Sequence, residues 1–170
     1  MEAKILKTIR LGKQRVLTID SDYDVFIRDE VNSEKKALFT GRRFVKFMLT
    51  MEDLNRVVGK ARDGKKVHVK EHLGGGWYMS LTPGVACVDV RKFFQHRDNG
   101  VVRPSKLGIA LTYGEWDALV DAVTKINNEM EGFKAISTCW HATDDELEKC
   151  KECTPFDAAK EKVCVCDSDY

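Results

Sequence analysis

The stretch 85-VACVDVRKFFQHRDNGVVRPSKLGIALTYGEWDALVDAVTKI-126 decides how the rest of the chain is read. It predicts strand, loop, strand and helix. Val85–Phe94 alternates as a strand does, Asn99-Gly100 is a turn signal, and Val101–Leu111 is a second extended run. Thr112 is placed to cap a helix, with Glu115 three residues on to answer the cap's own N–H. Beyond it Trp116, Leu119, Val120, Val123 and Ile126 recur at three- and four-residue steps, so they share one helical face.

Working outward, the preceding residues repeat this order. The opening stretch, residues 4–31, gives two extended runs, with Leu11–Ile19 in the first and Asp24–Arg28 in the second, and Asp24–Arg28 lies 63 residues before Cys87–Arg91. Phe39–Leu49 reads as a further extended segment, and Thr50 with Asp53 as the cap of a helix. Its apolar residues Leu54, Val57, Val58 and Ala61 lie 62 residues before Trp116, Leu119, Val120 and Val123. Within the second half, Val67–His72 and Trp77–Leu81 read as strands around Gly74-Gly75-Gly76. Those glycines predict a distorted hairpin rather than a phosphate cradle, because neither Lys-Ser/Thr nor a helix follows. The expected fold class is α+β. It comprises two tandem repeats of a curved antiparallel sheet followed by one helix, at residues 1–63 and 64–130, packed as an intramolecular pseudo-dimer. A cysteine-rich acidic tail at 131–170 completes it.

Charge separates along the chain. The net charge of +1 hides +6 in residues 1–130 and −5 in residues 131–170, a basic body with an acidic tail. No run approaches a membrane span and the amino terminus has no signal-peptide core, so an intracellular, reducing setting is expected. Six cysteines are then read as thiols or metal ligands before disulfides. No paired carboxylates, triad or cofactor loop stands in a credible setting, so no enzyme is expected.

At Arg91, Phe93, Phe94, Pro104, Lys106, Gly108, Ile109, Leu111 and Trp116 the chain resembles the positive cofactor 4 family of transcriptional coactivators and single-strand DNA-binding proteins. Leu11–Ile19 is similar to that family's first strand. Phe94 stands where the family has Trp, and Leu107 where it has the second base of an Arg-Lys pair. The resemblance implies binding of single-stranded or melted duplex DNA and a nuclear role in transcription, replication or repair, with proteins of those processes as further partners. It also implies association of two such units through their helices, which a duplicated chain can achieve as a monomer with internal pseudo-two-fold symmetry. An open sheet face suits the task, because Lys and Arg meet phosphates while aromatic rings stack on unpaired bases.

The residues read as contacts are Lys66, Lys70, Trp77, Arg91, Phe94, Arg103 and Lys106 in the second repeat. In the first they are Lys13, Arg15, Arg28, Arg42, Arg43 and Lys46. Arg28 and Arg91 also suit pairing with nearby carboxylates. Phe93 and Phe94 point to opposite faces of a regular strand, so one of them is expected in the core. In the tail, Cys150-x-x-Cys153 with Cys164 and Cys166 suits zinc, with Cys139 and His141 as substitute ligands. Unligated reduced thiols are the other reading. The competing function is a protein-interaction module on the same fold, with the tail as its contact surface.

Overall fold

The computed structural model describes residues 2–157 and, as backbone, 162–163. Two antiparallel sheets, each followed by a helix, make an α+β body. The first contains β1 (Ile5–Arg10), β2 (Arg15–Asp20), β3 (Val25–Asp29) and β4 (Lys36–Phe39) in sequence order, and leads into α1 (Gly41–Arg62). The second contains β5 (Val69–Gly74), β6 (Trp77–Leu81), β7 (Cys87–Gln95) and β8 (Val101–Thr112), and leads into α2 (Tyr113–Glu129). A two-residue strand, β9 (Lys162–Val163), pairs in parallel with the start of β8.

The second half follows its sequence pattern closely. Thr112 caps α2 with a reciprocal pair of bonds, Glu115 N to Thr112 Oγ1 at 3.2 Å and Thr112 N to Glu115 Oε1 at 2.9 Å. The three glycines form the β5–β6 turn with φ of 118°, 59° and 86°, backbone angles that favour residues without a Cβ.

The first half corrects one expectation. Residues 41–49 are helix, not strand: α1 starts at Gly41 behind Thr40, whose side chain accepts from Arg43 N. Phe44, Phe47, Met51, Leu54 and Val58 are its buried face, a spacing of three and four that begins well before Thr50. Thr50 is no cap; its hydroxyl bonds back to Lys46 O at 3.1 Å, as a mid-helix Thr does. The two caps therefore stand 72 residues apart, and the expected 62-residue helix register fails. Phe44, Phe47, Met51 and Leu54 occupy the places of Trp116, Leu119, Val123 and Ile126. The added spacing comes from the longer β7–β8 hairpin.

One apolar core runs through both halves. Phe47 meets Trp116 edge-on with centroids 6.2 Å apart, and Trp116 Nε1 donates to Asn55 Oδ1 at 3.0 Å. Arg62 pairs with Asp117 at 2.6 Å where α1 meets α2. Backbone contact joins the sheets as well, through a parallel bridge between Lys35 and Gly108. Gly108 has no room for a side chain, because a Cβ there would lie 2.7 Å from Val90 O.

The body does not end at residue 130. A short 3-10 turn at Glu131–Ala135 sends Phe133, 2% exposed, into the core against Phe44 and Tyr23. From 134 to 157 no residue is buried. Among the described residues no helix is long and apolar enough to cross a membrane.

Candidate nucleic-acid interface and thiol cluster

In β6 the side chains alternate: Trp77, Met79 and Leu81 are buried, while Tyr78 and Ser80 lie on the opposite face. Cross-strand register then builds rows on that outer face. Tyr78 stands between His72 and Arg91, and Arg91 faces Gly108; Ser80 stands between Lys70 and Asp89, and Asp89 faces Ala110. A bulge between Arg91 and Phe93 turns Phe93 onto the same surface. There its ring meets Tyr78 edge-on at 4.9 Å, Tyr78 lies 4.9 Å from His72, and the Lys70 ammonium sits 4.2 Å and 4.5 Å from the Phe93 and Tyr78 centroids. These are cation–π distances.

His72 is an integral part of this cluster. Its Nε2 accepts from Gly76 N at 3.1 Å. Burial, then the positive field of Lys46, Arg43 and Lys70 against the opposing Glu152, pushes its pKa down from 6.5 to about 4. The ring is therefore neutral at pH 7.

The expected contact residues divide into three groups. Lys70, Arg91, Phe94, Arg103 and Lys106 lie on β5, β7 and β8; Phe94 is 44% exposed, with Arg103 as its cross-strand neighbour. Arg91 is already paired bidentately with Asp89 at 3.0 and 3.1 Å and also donates to Ser105 O. Arg15, ion-paired to Asp29 and donating to Ala110 O at 3.3 Å, reaches the seam between the sheets. A groove of 290 Å³ there is lined by Arg15, Lys35, Arg91 and Lys106.

Other expected contacts lie elsewhere. Trp77, 2% exposed, is core and has no face to offer a base. Arg42, Arg43 and Lys46 ride on α1, away from the sheet position expected of them. Arg43 is held by Glu152 through bonds of 2.6 and 2.9 Å. Lys66 is exposed in the loop before β5, and Lys13 in the β1–β2 turn. Arg28 is exposed on β3 with Lys36 as its cross-strand neighbour. Neither Phe93 nor Phe94 is in the core. Tyr78, Phe93, Lys35 and His72 were missing from the expected set. Strand alternation carried the signal for Tyr78, since Trp77 and Tyr78 must face opposite ways.

A second cluster lies beside the turn of the β5–β6 hairpin, where Gly75 N donates to Glu152 O. Donor atoms of Cys139, His141, Cys150 and Cys153 all lie within 4.8 Å of one another, a set that could hold a metal ion. It keeps the Cys150-x-x-Cys153 pair and draws its other two donors from Cys139 and His141. The expected ligands Cys164 and Cys166 lie outside the described residues. His141 Nε2 stands 3.3 Å from Cys153 Sγ, and Arg42 Nη1 donates to Cys139 Sγ at 3.6 Å. The thiols are electrostatically unequal. The Cys153 backbone N–H lowers Cys150, whereas burial and the adjacent sulfurs raise Cys153 to about 11.

No curated protein compared with the chain matches it. Residues 84–122, which run from just before β7 into α2, match the family model described as Transcriptional Coactivator p15 (PC4).

Proposed function

We propose that this protein binds single-stranded or locally melted DNA on the outer face of its second sheet, in a nuclear, transcription-linked role. The observation that carries the reading is the ring-and-cation surface of Lys70, Tyr78 and Phe93, set beside the basic seam of Lys35, Arg91 and Lys106. Each half-buried ring on that face offers a stacking platform worth about 1–3 kcal/mol per base, and the cations contribute a salt-dependent phosphate term. The two sheet-and-helix units are read as copies of one ancestor that form the family's paired platform within a single monomer. The sheet order, the paired Thr caps and the matched helix faces support that reading. No catalytic step is assigned to the chain.

The test is a fluorescence-anisotropy titration with oligo-dT and with duplex DNA at low and moderate salt. Tighter binding of oligo-dT, weakening as salt rises, is the expected result. Equal binding of both, or none, would overturn the reading.

Zinc is the metal we assign to the Cys/His cluster, since three thiolates and an imidazole suit it. A second reading keeps the fold as a protein-interaction module. Trp140, 80% exposed between two cluster residues, is the observation that favours it. In that case a transcription or replication protein, rather than DNA, would be retained by a Trp140-dependent contact.

A further inference from the structure

We propose that Cys139, His141, Cys150 and Cys153 hold one zinc ion in a closed structural site, and that this ion fastens the segment 137–157 across α1 and the β5–β6 hairpin. The proposal rests on the zinc assignment and adds the closed, structural character of the site and the ion's task.

Three observations carry it. First, the donors already converge: sulfurs around a tetrahedral zinc stand about 3.8 Å apart for Zn–S bonds of about 2.3 Å, so a set within 4.8 Å needs only a small contraction. Four protein donors fill the tetrahedron and leave no position for substrate, which makes the site structural. Second, apolar burial does not account for the fold of the segment. The helix α3 (Asp144–Lys149) has six residues and buries none of them. A helix that short is unstable alone, and the absence of any buried residue from 134 to 157 removes the usual apolar reason for folding. In small metal-binding segments ligation supplies the missing free energy. Third, charge is balanced. Three thiolates, one neutral imidazole and Zn²⁺ leave a net negative site, and Arg42 donates to Cys139 Sγ from the neighbouring helix.

The fastened segment reaches both units of the body. Glu152 O accepts from Gly75 N at 2.8 Å, and its carboxylate holds Arg43 of α1. Farther on, Asp157 exchanges two bonds with the Gln95 side chain, at 3.0 and 3.2 Å. Thr154 Oγ1 closes the loop on the carbonyls of Leu147, Glu148 and Cys150. Cys150 and Cys153 thus bracket the Glu152 contact, and the ion fixes where that carboxylate sits.

Zinc content, cobalt(II) absorption and trypsin sensitivity of the purified full chain test this. About one zinc per chain is expected, with thiolate-to-cobalt bands on exchange. Cys150→Ser and Cys153→Ser should each weaken retention by about tenfold or more, with Cys87→Ser, on β7, unchanged. Zinc-free protein, or zinc that survives both substitutions, would overturn the site. Loss of zinc through Cys164→Ser or Cys166→Ser with Cys139→Ser and His141→Ala unaffected would overturn this ligand set. Chelation should speed cleavage at the exposed Lys149 and Lys151 by about tenfold while the near-ultraviolet signal of the core stays fixed. Bound zinc whose removal leaves that cleavage unchanged would overturn the fastening task and leave the zinc assignment standing.

Discussion

The central strands of the two sheets differ in one respect. In β2 the residues Val16, Leu17, Thr18, Ile19 and Asp20 are all buried, so that strand is covered on both faces, while its neighbour β3 still turns Phe26 and Arg28 outward. In β6 burial alternates, and only Trp77, Met79 and Leu81 enter the core. The same strand order and helix placement thus give one unit whose β2 is covered on both sides and one whose β6 keeps an outward surface of rings and cations. Shared topology does not give shared function; the outward half of the alternation decides it. The first unit still contributes charge, since Lys35 reaches the groove beside Lys106, but it sets no aromatic pair like Tyr78–Phe93 on its outer face.

The largest effect should appear where the comparison breaks down, in the common core. Trp116→Ala and Phe47→Ala, one in each helix, should each cost about 3–5 kcal/mol in denaturant unfolding and leave a single transition. Two separate transitions would mean that the units fold independently.

Acid should act next, in the second unit through His72. His72 has a folded pKa of about 4 against an ordinary 6.5, so between those values the unfolded chain holds the proton and the folded chain does not. Its contribution is fully present above pH 6.5 and declines as pH falls toward 4, by about 3 kcal/mol at most. His72→Gln should flatten that part of the stability profile; an unchanged slope would remove His72 as its cause.

Phe93→Ala or Tyr78→Ala should each weaken oligo-dT binding by about 1–3 kcal/mol, whereas Phe26→Ala on the first sheet should change it by less than about 0.5 kcal/mol. The smallest expected effect belongs to the tail. Glu152→Gln frees Arg43 and removes one negative charge, so oligo-dT affinity should rise slightly at low salt, within about 1 kcal/mol, and not at high salt. A wider deletion should stop after Ile136, because Phe133 belongs to the core.

Most strands, the whole second unit and α2 were legible because period and punctuation agreed there: alternation, Asn99-Gly100, Thr112 with Glu115. The start of α1 was not, because reading Gly41–Leu49 by analogy with β8 set aside the helical spacing of Phe44, Phe47 and Met51. Trp77, expected as a stacking ring, is core, and Tyr78 faces outward: adjacent strand residues cannot share a face, and the larger apolar ring goes to the core. Arg43–Glu152 spans 109 residues and carries no local signal. The Cys150-x-x-Cys153 pair showed as a motif, whereas its union with Cys139 and His141 depended on how α3 folds the segment back.

The most direct measurement compares two double variants by oligo-dT anisotropy at fixed low salt. Tyr78→Ala/Phe93→Ala removes the rings of the second sheet, and Phe26→Ala/Arg28→Ala strips the matching face of the first. A loss of about thirtyfold or more for the former, with the latter within about threefold of the parent, is the predicted result. Equal losses, or a greater loss from the first sheet, would contradict the assignment of binding to the second.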